Sequence, residues 1–144
     1  MPLSVEKIEN GTVIDHITPG KGLRVLGILQ IDSEYKGRVA LVMNVPSKHI
    51  GKKDIVKIEG KLIDDKTADK IALISPNATL NLIKNSEVIE KRNVKLPKVL
   101  TAAFKCPNPK CITNAELVET KFLVEKETLK CYFCERYFKA EELK

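Results

Sequence analysis

All four cysteines of the chain fall in its last 39 residues, as Cys106-Pro-Asn-Pro-Lys-Cys111 and Cys131-Tyr-Phe-Cys134. Two close pairs separated by 19 residues restrict the fold of this tail more than any other feature. Each short loop offers two thiolates to one side of a tetrahedral ion, and the intervening segment returns the chain to the other side. Zinc suits four sulfurs best, because it has no redox chemistry and closes its coordination sphere completely. A closed sphere leaves no position for water or substrate, so one structural Zn²⁺ per chain is the expectation. The competing readings are two disulfides or four unrelated thiols, and the spacing rule for paired cysteines favours the metal.

The 144 residues leave room for an ordinary domain ahead of this module. Residues 1–97 are expected to form one domain and 98–144 the metal-stapled one, with Leu96-Pro97-Lys98 as an aperiodic junction. The start, Met1-Pro-Leu-Ser-Val-Glu-Lys7, has no apolar run resembling a signal peptide, and no stretch reaches bilayer length. Reduced cysteines without a secretion signal point to the cytoplasm. A formal net charge of +6 first suggests nucleic acid as a partner. Its distribution argues otherwise. Residues 102–144 carry eight Lys/Arg against seven Glu, and four thiolates with one Zn²⁺ bring that module to about −1. Residues 1–101 hold 17 Lys/Arg against 12 Asp/Glu. A ribbon that gripped a phosphate backbone would carry the positive patch itself. The front half is instead suited to a small polyanion or an acidic surface.

Thr12–Ile17 alternates and is β-branched, which predicts a strand. After the Pro19-Gly20 turn, Leu23, Leu26 and Leu29 recur at helical spacing up to about residue 31. Arg38–Val45 reads as a strand apolar enough for burial on both faces. Pro46-Ser47 and Gly51 bound a polar loop in which His49 is expected to be exposed, and Asp54–Glu59 alternates as a third strand. Asp64 or Asp65 can cap a helix with Ala68, Ile71 and Ala72 on one face, ending before Pro76. Thr79–Lys84 and Glu87–Lys91 flank Asn85-Ser86 as a hairpin. This order predicts an α+β, ferredoxin-like sandwich, an antiparallel sheet with two helices on one face, followed by a small all-β zinc-ribbon-like domain. Six of the seven aromatics lie in the cysteine module. They are expected to be its core, since a domain so small has few other large side chains to bury.

Catalysis finds little support. Asp15 and His16 are an adjacent acid and imidazole, but strand neighbours point to opposite faces, so a dyad is not expected. The chain has no GxxxxGK[ST] loop, no GxGxxG turn and no serine in a glycine-flanked elbow. More suggestive is the third strand, where Lys53 and Lys57 share a face, beside a strand with Thr79, Asn81 and Ile83 on one side. The competing reading is a solvated lysine face. If the strands are neighbours, ammonium groups can neutralise a phosphate chain and Asp15 can accept from ribose hydroxyls.

Gly11-Thr-Val-Ile-Asp-His-Ile17, Asn44-Val-Pro-Ser47, Gly51-Lys-Lys-Asp54, Lys57-Ile-Glu59 and Ser75-Pro-Asn-Ala-Thr79 occur in that order, followed by Cys106-Pro-Asn-x-x-Cys111 and Cys131-Tyr-x-Cys134. Together, over nearly the whole length, they closely resemble the regulatory chain of aspartate carbamoyltransferase. The resemblance implies a non-catalytic subunit with an N-terminal effector domain and a C-terminal zinc domain that docks on the catalytic chain. It implies self-dimers through the N-terminal domains, three of which bridge two catalytic trimers, and control of pyrimidine biosynthesis. It implies one site where CTP inhibits and ATP activates, with UTP able to reinforce the inhibition. Carried over residue by residue, Val5, Glu6 and Ile8 lie beside the base, Asp15 and Lys57 at the ribose, and His16, Lys53 and Lys91 near the phosphates. Asn81, Ile83 and Val88 complete that pocket, and Glu59 lies where a second nucleotide and a metal ion bind. Cys106, Cys111, Cys131 and Cys134 are the implied zinc ligands. Ser86 stands where family members can carry a tyrosine near the base, so base contacts there are expected to differ. The 19-residue separation of the cysteine loops is shorter than in some relatives.

Overall fold

Alternation along the first strand sends Thr12 and Ile14 to one side, a bulge after Ile14 returns Ile17 to it, and all three are buried. The rest of the N-terminal unit assembles on that apolar side. A computed structural model of the chain describes residues 8–48, 51–125 and 128–143, so Val5, Glu6 and His49 lie outside the described residues. The chain divides into two compact units, Met1–Lys95 and Leu96–Lys144.

The first unit runs β1 (Gly11–Ile17), α1 (Gly22–Ile28), β2 (Val39–Ser47), β3 (Gly51–Glu59), α2 (Asp65–Ile74), β4 (Thr79–Lys84) and β5 (Glu87–Asn93). The strands form one sheet in the order β2-β3-β1-β4-β5, with every pairing antiparallel. This is the ferredoxin-like arrangement extended by one hairpin strand. Ile14, Val56, Ile58 and Leu80 from the sheet pack with Val25 and Leu29 near α1 and with Ala68, Ile71 and Ala72 of α2. Both helices therefore cover the same face. Asp64 caps α2, its carboxylate accepting from the Thr67 N–H at 2.8 Å. Hydrogen bonding from Thr67, through its side chain first and its backbone N–H second, holds the Asp64 carboxyl below the usual Asp range.

Several expectations need correction. β2 is an edge strand, half-buried at best along its length, not a strand buried on both faces. Its apolar run reflects cover from one side and an edge facing outward on the other. The predicted polar loop is largely strand, since Pro46 pairs with Lys52 and Ser47 with Gly51, and β3 begins at Gly51 rather than Asp54. In α1 the buried positions are Gly22 and Val25, while Leu23 is exposed. The core side of this short helix is set by how it meets the sheet, not by the leucine spacing.

Two bulges shape β1 and β2. Ile14 pairs with Val56 and Ile17 with Asp54, so Asp15 and His16 together oppose Ile55. Val42 pairs with Ile55 and Val45 with Lys53, so Met43 and Asn44 oppose Asp54. His16 and Asn44 both adopt left-handed backbone, with φ of 57° and 60°. Asp54 ties the bulges down. Its carboxylate is fully buried and accepts from the backbone N–H groups of Gly20 and Gly22, each at 3.0 Å, and of Asn44 at 2.9 Å.

The second unit is a four-stranded antiparallel sheet in the order β6 (Val99–Thr101), β7 (Lys121–Glu125), β8 (Thr128–Cys131) and β9 (Tyr137–Lys139), with the single-turn helix α3 (Ile112–Ala115) between β6 and β7. Leu100, Phe104, Phe122, Leu129 and Leu143 form its buried centre. The expectation that the aromatics are core fails for half of them. Tyr132, Phe133 and Tyr137 are exposed, because they sit on the second cysteine loop and on the outer side of the edge strand β9.

Candidate metal centre and effector face

The first cysteine loop turns sharply because its own side chains satisfy its backbone. The Cys111 N–H donates to the Asn108 carbonyl at 3.0 Å, and the Lys110 N–H donates to Asn108 Oδ1 at 3.1 Å. From α3, the Asn114 amide donates to the carbonyls of Cys106 and Asn108 at 3.0 and 2.8 Å. The second loop closes through the Glu135 N–H to the Cys131 carbonyl, with Glu135 in left-handed backbone at φ 61°. The two loops face each other, and the four Sγ atoms all lie within 4.8 Å of one another.

Cys106 Sγ is 3.7 Å from Cys134 Sγ, and Cys111 Sγ is 3.8 Å from Cys131 Sγ. These distances decide between the readings of the cysteines. A disulfide would bring two sulfurs to about 2.05 Å, and all four cysteines are free. A tetrahedron of sulfurs about 2.3 Å from a central Zn²⁺ has edges of about 3.8 Å. The donor set therefore fits a tetrahedral thiolate-bound metal. Burial pushes the Cys106 and Cys131 thiols above the ordinary range. Burial also opposes ionisation of Cys134, but the Arg136 backbone N–H, Asn108 and the neighbouring thiols bring that group down to about 7. A divalent cation at the centre supplies the charge that lets such buried thiols ionise. Thr113 adds a hydroxyl that donates to Cys111 Sγ at 3.1 Å. Thr113 and Asn114 carry no ligand spacing, which is why the sequence does not single them out, whereas Asn108 belongs to the first cysteine motif.

In the first unit the face away from the helices gathers most of the predicted effector residues. Opposed residues of an antiparallel pair share a face. Lys57 lies opposite Val13, Asp15 opposite Thr79, Asn81 opposite both Val13 and Lys91, and Ile83 opposite Val88. Lys53 joins them by strand alternation with Lys57. His16, expected on the other side of β1, is brought to this face by the bulge. Its Nδ1 lies 3.2 Å from Thr79 Oγ1 and 4.0 Å from Asp15 Oδ1, too far for a hydrogen bond to the acid. Lys53 Nζ pairs with Asp15 Oδ1 at 3.0 Å, and the same oxygen accepts the His16 N–H at 2.6 Å. The Asn81 amide donates to the Val13 carbonyl. Lys91 and Val88 are exposed on β5, and Ile8 is buried ahead of β1. Glu59, at the far end of β3, pairs with Arg38 at 2.6 Å.

Thr79, expected on this side of its strand with Asn81 and Ile83, lies there opposite Asp15 and beside His16. Asp54 is another residue of consequence. An acid in register with Val56 and Ile58 on the apolar side of β3 is the readable signal for it.

Comparison with known proteins agrees with this division of labour. Residues 3–95 match the family model of the aspartate carbamoyltransferase regulatory chain, allosteric domain, and residues 98–144 match that of its metal-binding domain. An allosteric domain followed by a metal-binding domain defines a non-catalytic regulatory subunit. The chain belongs to the family of aspartate carbamoyltransferase regulatory chains. It is 50% identical to the chain of that name from Pyrococcus horikoshii, over 98% of this sequence and 95% of the relative. It is also 50% identical to those from Korarchaeum cryptofilum and Saccharolobus solfataricus, again over 98% of this sequence and over 93% and 91% of theirs. Among the described residues no helix is long and apolar enough to cross a membrane.

Proposed function

We propose that the outer face of the first unit binds CTP and ATP in competition, with UTP as a further effector, and that the second unit holds Zn²⁺ and docks on the catalytic chain. The observation that carries this reading is the meeting of Lys53, Lys57, Lys91 and His16 with one acceptor, Asp15, and the aliphatic Ile83 and Val88 on one side of the sheet. A nucleoside triphosphate needs these three things: cations for the phosphates, an acceptor for ribose and an apolar wall for the base. The Asp15–Lys53 pair suits exchange. Phosphate oxygens draw Lys53 away, and the freed carboxylate accepts from a ribose hydroxyl. Val5, Glu6 and Ile8 supply the base side, and Glu59 stands by a second nucleotide.

Exposed Ile112, Leu117, Tyr132 and Phe133 around the cysteine loops give the second unit an apolar surface suited to a protein partner. In the assembled enzyme, dimers formed through the first units bridge two catalytic trimers. Nucleotides act by binding two quaternary states unequally, a coupling of typically ~1–3 kcal/mol that is reciprocal between sites. The test is Lys53→Ala combined with Lys91→Ala in the chain co-purified with its catalytic partner. Calorimetry is expected to give CTP and ATP affinities at least about a hundredfold weaker, the loss of two charge-assisted contacts, with metal content and assembly unchanged. Unaltered affinity for both nucleotides overturns the placement of the site.

A further inference from the structure

The segment that enters β1 is stitched to two other parts of the first unit. The Asn10 carbonyl accepts the Gly60 N–H at 2.8 Å, just past the end of β3. On the other side, Asn10 Oδ1 accepts the Asn85 N–H at 3.2 Å, and the Glu9 carbonyl accepts the Ser86 N–H at 2.9 Å. Asn85 and Ser86 are the two residues of the β4–β5 turn, and both are left-handed, with φ of 52° and 66°. Glycine favours such a turn and ordinary side chains do not. This turn has no glycine, and the incoming segment accepts both of its N–H groups. Ile8 lies two residues before Asn10, and Val88 lies two residues after Ser86.

We infer that Asn10 is a positioning residue of the effector site: its side-chain oxygen clamps the β4–β5 turn to the segment leading into β1, and so fixes the distance between the two apolar flanks that hold the base. The inference rests on the effector reading above and names a residue that reading does not use. The clamp acts through geometry, since Asn10 itself is not among the contacts proposed for the nucleotide. Removing Oδ1 leaves the turn held by the Glu9 carbonyl alone. The fold has no need of the clamp, because Asn10 is exposed and its backbone bond to Gly60 does not depend on the side chain.

The variants are Asn10→Ala, which deletes the acceptor, and Asn10→Asp, which keeps an oxygen in the same place. Each is made in the full chain with its metal, and CTP and ATP binding is measured by calorimetry beside hydrogen exchange. Asn10→Ala is expected to weaken nucleotide binding by about 3–10-fold, the range for one modest hydrogen bond. Exchange at the Asn85 and Ser86 amides should quicken while β1 and β3 keep their protection. Asn10→Asp should restore both. Wild-type affinity in Asn10→Ala overturns the inference, and so does an Asn10→Asp variant as weak as the alanine. A wild-type chain that takes up neither nucleotide overturns the effector reading itself, before any variant is compared.

Discussion

Replacing Asp54 with alanine removes the acceptor shared by three backbone N–H groups: Gly20, Gly22 and Asn44. The Gly22 donor is fully buried, and an orphaned buried donor costs about 1–3 kcal/mol. The Gly20 and Asn44 donors are partly buried, and each loses a bond worth about 0.5–1.5 kcal/mol. The expected destabilisation of the first unit is therefore about 4 kcal/mol, a large share of the ~5–15 kcal/mol that holds a typical domain folded. Asp54→Asn should cost about half as much, because one oxygen remains while its amide group faces an N–H. Hydrogen exchange on the full metal-loaded chain reads this directly, since amides that open only on global unfolding report that free energy. Those of β1 and β3 should exchange about a thousandfold faster in the alanine variant, at 1.4 kcal/mol per factor of ten. The amides of β7 and β8, in the other unit, should not change. A loss below about 1 kcal/mol refutes the reasoning, because it means the three donors find water or other acceptors as readily as the carboxylate.

Thr113→Val keeps the shape of the side chain beside Cys111 but deletes the hydroxyl that donates to its sulfur. A competing chelator should then remove the metal with an apparent affinity about tenfold weaker, and an unchanged titration would show the hydroxyl to be incidental. Asp64 gives a pH signature. Its carboxyl titrates below the usual Asp range in the folded chain, owing to hydrogen bonding from Thr67. The cap's contribution is therefore present above the unfolded value near 3.9 and lost as pH falls through the lower folded value. Asp64→Ala should destabilise α2 at neutral pH and make no difference in strong acid. Denaturation curves of both chains across that range check the sign.

Local patterns made much of this molecule readable. The cap at Asp64, the apolar face Ala68–Ile71–Ala72 and the hairpin around Asn85-Ser86 each depend on a few adjacent residues, and each appears as the sequence suggests. The reading of β2 failed because burial depends on which strand lies beside it, and an apolar run looks the same at an edge as in a centre. The aromatics of the second unit failed for a related reason. Composition says a small domain should bury its rings, but position on the cysteine loop decides which rings can reach the core.

The residues of Asp15 and His16 mark the boundary between these two kinds of information. Period-two alternation would separate them, and only the pairing of β1 with β3, two residues against Ile55, puts them together. By itself the sequence determined the four thiols and their loops, the order of strands and helices, and the lysines on β3, because spacing along a chain fixes which side chains can share a face or an ion. Tertiary structure alone decided the bulges, the edges and the carboxylate of Asp54 that holds them. These arise from register between strands far apart in the chain, where one extra residue on one strand redirects a side chain.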